Sequence, residues 1–133
     1  MRSRVRLALA LPVAALLATG LTAPAHAGDS APPNGSVRGD WVTRTAGFPQ
    51  TVTFDSKGRV YGNAGCNQFK GTYTTTATRI KMGPLASTLK YCEGRMDAER
   101  EFLLALQNAR TYRATDTVLR LMSKSTTLKL RAA

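Results

Sequence analysis

The sequence has very little of what most enzyme and metal sites need. It contains one histidine, His26, which lies in a segment that we predict to be removed on export, so the remaining chain offers no imidazole as general base, triad member or zinc ligand. Its two cysteines, Cys66 and Cys92, are too far apart in sequence to form a close metal-binding pair. We therefore predict no catalytic residue, no cofactor and no metal. A carboxylate pair such as Asp40 and Asp55 is the remaining catalytic alternative.

The N-terminal segment, residues 1–27, has the pattern of a secretory signal peptide. Arg2, Arg4 and Arg6 precede an apolar run over residues 7–21, and Ala-His-Ala at 25–27 supplies a cleavage signal of small residues. The run is shorter than the ~20 apolar residues of a membrane-spanning helix, so we expect cleavage after Ala27, with a retained anchor as the alternative. The residue directly after the cleavage point is Gly28 and not a cysteine, so a lipid anchor on a mature N-terminal cysteine is not predicted. The expected product is secreted or extracytoplasmic, with no transmembrane segment after cleavage.

Cleavage would leave residues 28–133, which are enough for one domain with a modest core. Three of the 19 Lys and Arg residues lie in the signal peptide, so 16 basic residues face 8 acidic ones and the net charge is +8. Such a balance favours an anionic partner.

Residues 28–39 are rich in Gly, Pro and Ser and are predicted to be a flexible leader. Residues 40–131 then form the domain, which we expect to be monomeric.

Both cysteines lie in the part predicted to be exported, where an oxidising compartment allows Cys66 and Cys92 to persist as a disulfide. A closed loop of this length stabilises a fold by roughly 3.5 kcal/mol in the chain-entropy model. Two buried free thiols are the alternative, because cysteine is also a good small core residue.

Period-two alternation predicts antiparallel strands along most of the domain. Residues 50–54 and 59–61 flank a turn that ends in Gly58, which is typical of a hairpin. Phe69 and Tyr73 continue the alternation with inward phase, and residues 79–82 form a further short strand. Strands are also predicted over residues 111–114, 118–122 and 126–130.

One segment has helical periodicity instead. From Met96 onward, Phe102, Leu103, Leu106 and Ala109 recur at helical spacing. The first turns of this helix contain three acidic residues: Asp97, Glu99 and Glu101. Negative charge interacts favourably with the exposed amides at a helix N-terminus, and we expect this to be their role. The predicted fold class is α+β, a curved antiparallel sheet resembling a partial barrel, with a single helix inserted before the last strands.

Residues 62–73 contain more residues with special structural roles than any other stretch of this length, namely three glycines, one cysteine and two aromatics. Gly62 and Gly65 permit a bulge or tight bend, and Gly71 permits close approach to a strand. Asn67 can hold the bend by bonding nearby backbone groups. A binding role for Asn63, Asn67 or Gln68 at a rim is the alternative.

Three ordered blocks and a closing pair stand out in the domain: Gly62-x-x-Gly65-Cys66-Asn67-x-Phe69-x-Gly71-x-Tyr73, then residues 83–88 ending in Thr88 and followed by Cys92, then Met96-x-x-Glu99-x-x-Phe102-Leu103-x-x-Leu106, and Leu119-x-Leu121. They carry a resemblance to the META domain of the HslJ heat-shock-protein family that runs from Trp41 to Leu130. It implies a small barrel-like antiparallel sheet with a helix, and an association with stress response, motility and antibiotic tolerance rather than with a defined reaction.

Basic residues alternate with the inward apolar positions and so line the outer face of the predicted sheet: Arg59, Lys70, Arg79, Lys81, Arg120, Lys129 and Arg131. They are typical of a solvated surface that guards edge strands against aggregation. Nucleic-acid binding is not favoured, because the aromatics fall mostly on the inward phase and are not interleaved with the charges.

The leading hypothesis is an exported, non-enzymatic domain that acts in cell-envelope or extracellular stress response by binding a protein, a ligand or an envelope component. The alternative is a small barrel that binds a hydrophobic or anionic small molecule in its mouth, beside Trp41 and Tyr73. An enzyme ranks third.

Overall fold

A computed structural model of the chain describes Gly20 and residues 35–45 and 47–133. Nearly all of the predicted signal peptide and residues 28–34 of the predicted leader lie outside the described residues. The described part contains nine strands and one helix: β1 (Gly39–Thr45), β2 (Phe48–Phe54), β3 (Arg59–Asn63), β4 (Gln68–Thr75), β5 (Ile80–Met82), β6 (Ala86–Ser87), α1 (Met96–Asn108), β7 (Thr111–Ala114), β8 (Val118–Met122) and β9 (Thr127–Ala132).

The strands form one antiparallel sheet that curls almost into a closed barrel. The order is β5-β4-β3-β2-β1-β9-β8-β7, and β6 pairs with β4 beside this path. The two ends of the order meet where Arg79 bridges Thr111. There the Ile80 amide donates to the Arg110 carbonyl at 3.0 Å, and the Tyr112 amide donates to the Thr78 carbonyl at 2.9 Å. The predicted fold class, a barrel-like antiparallel sheet with one helix before the last strands, is confirmed.

Helix α1 packs against β5, β8 and β9 and contributes to the core. Its buried positions are Ala98, Glu99, Phe102 and Leu106, which share one face at helical spacing. The Phe102 ring meets the Phe69 ring edge-on, with centroids 6.0 Å apart. The helix ends at Asn108, where the Ala109 amide donates to the Leu106 carbonyl. No helix in the described part is long and apolar enough to span a membrane.

The ordered domain begins earlier than the sequence pattern indicates. Val37, in the predicted leader, is buried in the core, and its carbonyl accepts a 2.8 Å hydrogen bond from the Trp41 indole. The Gly35 amide donates to the Ala114 carbonyl at the end of β7. Residues 35–39 therefore belong to the packed structure. A buried indole N–H needs an acceptor, and the Val37 carbonyl supplies it for Trp41. Strand β6 is also absent from the predicted set, since two residues are too short to show alternation.

The β2–β3 hairpin supplies a pH-dependent contact. In its turn, Asp55 accepts hydrogen bonds from the Lys57 and Arg59 amides and from the Arg59 guanidinium. These donors, the Arg59 amide above all, lower the pKa of Asp55 below its usual value. A carboxyl group with a lowered pKa stabilises the fold above its unfolded-state pKa, and this contribution is lost as the pH falls through the folded-state pKa.

We therefore expect Asp55→Asn to lower the thermal midpoint at about pH 7 and to lose less additional stability than wild type between about pH 5 and about pH 3. Thermal melts followed by circular dichroism across this range test it. Asp116→Asn, an exposed acid in the β7–β8 turn, is the control. Wild-type and Asp55→Asn curves that run parallel with pH would contradict the assignment.

Candidate functional site

Residues 62–73, which are rich in glycine and aromatic residues, form the end of β3, the β3–β4 turn and most of β4. Gly62 lies in β3, the turn carries Gly65, Cys66 and Asn67, and β4 carries Phe69, Gly71 and Tyr73. The rings of Phe69 and Tyr73 are buried, in agreement with their inward phase. The Tyr73 hydroxyl donates to the Asp55 carbonyl at 2.6 Å, and burial raises the pKa of this phenol. Gly71 lies beneath Leu85.

Gly62 and Gly65 each require glycine, but for different structural reasons. Gly65 has φ +118°, a conformation that side-chain-bearing residues rarely adopt, so it makes the bend before Cys66. Gly62 is in regular strand conformation, and a Cβ there would collide with the Thr51 carbonyl of β2. The prediction of a bend at Gly62 is therefore replaced by close approach between neighbouring strands.

Cys66 and Cys92 are within disulfide-bonding distance, with Cα atoms 5.9 Å apart and a sequence separation of 26. Cys66 lies in the β3–β4 turn, and Cys92 lies shortly before the start of α1. The bond ties the sheet to the segment that leads into the helix. We call residues 88–94 the stapled loop.

The side chain of Asn67 holds the stapled loop from the inside. Its Oδ1 accepts from the Lys90 amide at 2.6 Å and from the Thr88 hydroxyl at 2.8 Å, and its Nδ2 donates to the Lys90 carbonyl at 2.9 Å. Nδ2 also donates to the Glu99 carboxylate at 2.6 Å. All four hydrogen-bonding positions of the amide are thus occupied. Asn67 pairs with the Lys90 peptide as a neighbouring strand would, rather than bonding its own turn as the sequence suggested.

Glu99 is the second member of this network, whereas the sequence predicted that it would interact with the exposed amides of its own helix. It is only 4% exposed. Besides Nδ2 of Asn67, its carboxylate accepts the backbone amides of Cys66 at 2.9 Å and of Asn67 at 2.7 Å. A buried carboxylate is costly unless such donors surround it. Glu99 therefore anchors α1 to the β3–β4 turn.

Two further side chains fix the same turn to α1 and to the residue that precedes it. The buried Gln50 amide donates to the Ala64 carbonyl at 2.9 Å and to the Ala98 carbonyl at 3.1 Å. The Arg95 guanidinium donates to the Gly65 carbonyl at 3.1 Å, and it lies 4.6 Å from the centre of the Phe48 ring. Four of the motif residues that the resemblance singled out, Cys66, Asn67, Thr88 and Glu99, thus meet in one network with Cys92. Their polar groups are engaged with each other.

The stapled loop presents two large apolar side chains to solvent. Leu89 is 94% exposed and Tyr91 is 79% exposed, and they flank Lys90, whose peptide is bound by Asn67. The backbone N–H and C=O of Lys90 face Asn67, while the side chains of Leu89 and Tyr91 lie in solvent. We call Leu89 and Tyr91 the apolar tip. Sequence reasoning missed it, although two apolar residues in a segment without periodicity beside a cysteine are a usable signal.

The three residues for which a binding role at the rim was the alternative, Asn63, Asn67 and Gln68, differ in their exposure to solvent. Asn63 accepts the Gly65 amide, and Asn67 is buried, so both serve the turn. Gln68 is exposed and borders an open groove of about 720 Å³ on the outer faces of β2, β3, β4 and β6. Tyr61, 43% exposed, lies in this groove directly opposite Lys70 of β4.

The predicted mouth site beside Trp41 and Tyr73 is less open. Trp41 is buried and engaged with the Val37 carbonyl. Tyr73 borders a depression of about 490 Å³ together with Arg38 and the threonines that follow it in β4. The structure therefore offers a polar depression at Tyr73 and a larger groove at Tyr61, on the outer face of the sheet.

Comparisons with known proteins agree with this architecture. The model of the META domain family matches residues 35–133. A protein from Burkholderia xenovorans solved by NMR has a TM-score of 0.58 at 20% identity, over 72% of this chain and 82% of that chain. A crystal structure of a duf4847 family protein from Bacteroides vulgatus has a TM-score of 0.50 at 23% identity, over 62% of this chain and 57% of that one. These structures show the fold alone. A comparison with curated proteins found no match.

The geometry of Cys66 and Cys92 leads to a first test at this site. In the unreduced protein we expect no thiol to react with maleimide after denaturation. Replacing both cysteines by serine should lower the free energy of unfolding by about 3.5 kcal/mol, because the unfolded chain is no longer cross-linked. Reaction at both positions, with an unchanged free energy of unfolding, would show that the pair is reduced.

The Glu99 carboxylate leads to a second test. Glu99→Gln places an amide group among three donors, so at least one buried donor faces another, and we expect a loss of about 3 kcal/mol in the free energy of unfolding. Glu101→Gln, exposed on the same helix, is the matched control and should change stability by less than about 0.5 kcal/mol. Urea unfolding followed by Trp41 fluorescence measures both. Equal effects of the two substitutions would refute the anchoring role of Glu99.

Proposed function

Because the chain belongs to the META domain family, we propose that it is an exported, non-enzymatic binding domain that acts in cell-envelope or extracellular stress response. The stress role is what the family's usual association implies. Export is supported by the basic, apolar and small-residue pattern of residues 1–27 and by the bonding distance between Cys66 and Cys92, which suits an oxidising compartment.

The apolar tip is the observation that carries the binding proposal. Leu89 and Tyr91 stand in solvent on a loop fixed by a covalent bond and by paired hydrogen bonds from Asn67. A rigid loop loses little conformational entropy on binding, so burial of its side chains contributes more fully to affinity. Exposed large apolar side chains on an ordered support are the usual anchors of protein interfaces, where tyrosine is enriched. The partner is a protein with an apolar pocket that receives the tip.

A second candidate function, binding of a hydrophobic or anionic small molecule, is favoured by the groove at Tyr61. There the exposed Tyr61 lies directly opposite Lys70 in the strand register, and both residues line the groove, which combines an aromatic surface with a positively charged residue. This groove replaces the barrel mouth as the place to look for such a ligand.

The tip is tested by comparing Leu89→Ser/Tyr91→Ser with Leu104→Ser, which removes a half-exposed leucine from the outer side of α1. Each purified protein is immobilised at equal density, and the proteins retained from an envelope fraction are quantified by mass spectrometry. Each buried apolar side chain contributes about 1.5–3 kcal/mol, so we expect the partner to be retained at least tenfold less by the double variant. The control should retain it as wild type does. Identical retention by the tip variant and wild type would refute the role of the tip.

A further inference from the structure

The outer face of β7, β8 and β9 carries an unusual row of charges. Arg113 of β7 lies directly opposite Arg120 of β8, and Arg120 lies directly opposite Lys129 of β9. Residues that face each other in an antiparallel pair project from the same face, with strands about 4.8 Å apart. Like charges placed directly opposite destabilise a sheet. Three adjacent cations therefore form a row that folding alone does not favour.

The row continues at both ends into an oblique stripe. Arg131 lies two residues beyond Lys129 on the same face of β9. At the other end Arg79 bridges Thr111, which lies two residues before Arg113 on the same face of β7. Lys81 follows Arg79 at the next outward position of β5. We call these exposed residues the cationic stripe: Lys81, Arg79, Arg113, Arg120, Lys129 and Arg131.

Nothing in the described part of the chain neutralises the stripe. The ion pairs formed there are Arg59 with Asp55 and Arg100 with Asp97, and neither involves a stripe residue. No side chain of the stripe makes a hydrogen bond to a described residue. The outward positions between the cations are uncharged: Thr111, Val118, Met122 and Thr127. The stripe is thus a continuous positive surface four strands wide.

We infer that the cationic stripe binds a flexible, linear polyanion whose charges are phosphodiester groups. Four of its six residues are arginines, whose planar guanidinium groups bind phosphate oxygens in pairs. The stripe runs obliquely over the convex outside of a nearly closed barrel. A flexible chain can follow it, whereas a flat bilayer or a straight duplex meets a convex surface along a narrow contact.

The charges also lack the aromatic platforms that single-stranded nucleic acids need. The exposed aromatics of the described residues are Tyr61 in β3 and Tyr91 in the stapled loop, and neither lies on β7, β8 or β9. We therefore infer a polymer without bases, which needs no aromatic side chains for stacking. An anionic envelope polymer such as poly(glycerol phosphate) has this chemistry. The inference goes beyond the proposed function, and the binding itself does not depend on export or on the apolar tip.

The test measures binding of the purified protein to fluorescently end-labelled poly(glycerol phosphate) over a range of salt concentrations. Arg113→Gln/Arg120→Gln should weaken binding about fivefold for each arginine, as for a basic residue at an anionic surface. It should also reduce the slope of log Kd against log salt by about 0.7–0.9 for each phosphate group that the variant no longer neutralises. Lys57→Gln/Arg100→Gln, which removes the same charge from a hairpin turn and from α1, should change Kd less than about twofold.

Thermal melts accompany the binding measurements, and the double variant should melt no lower than wild type at low salt, because like-charge repulsion is removed. If it does not fold, Lys129→Gln/Arg131→Gln tests the other end of the stripe with the same expected weakening. Equal weakening by the control variant overturns the inference, since total charge then suffices. Tighter binding of duplex DNA, or of phosphatidylglycerol vesicles, than of poly(glycerol phosphate) at equal salt also overturns it, in favour of a nucleic acid or a membrane surface.

Discussion

The buried contact between Glu99 and Asn67 is the interaction on which the rest of the motif region depends. A carboxylate removed from water is costly unless donors replace its hydration, and here two backbone amides and one side-chain amide do so. These donors belong to the β3–β4 turn, and the carboxylate belongs to α1, so the contact fixes the first turn of the helix against the turn between the two strands. Asn67 extends the same constraint to Lys90. The network thus couples helix, turn and loop.

The disulfide and this network hold one loop by different physical means. A cross-link between Cys66 and Cys92 acts mainly on the unfolded chain, by restricting its conformations. The hydrogen bonds of Asn67 act on the folded state and are directional, so they decide which way the Lys90 peptide faces. A cross-link alone would leave the orientation of Leu89 and Tyr91 open. Together the two devices explain how a loop can stay ordered while its large apolar side chains remain in water.

The fold was predictable because burial of one face marks every second residue of a strand, as at Phe69 and Tyr73. Helical spacing likewise located α1, but periodicity shows which side of a helix faces inward and not what lies opposite, so the partner of Glu99 was hidden. Hydrophobicity alone favours burial of Leu89, and only the hydrogen bonds of the neighbouring peptide reverse that expectation. Arg113 was overlooked because a like-charge row depends on the register of three strands, which no local pattern records.

The apolar tip and the cationic stripe share one physical property, which is that each lowers the stability of the isolated domain. The exposed side chains of Leu89 and Tyr91 leave apolar area in water, and the opposed charges of Arg113, Arg120 and Lys129 repel one another across the strands. Natural sequences depart from such folding rules chiefly where function requires it. The two departures depend on different supports, since the tip needs the network at Asn67 and the stripe needs only the strand register. A partner of each surface can therefore be gained or lost without disturbing the other.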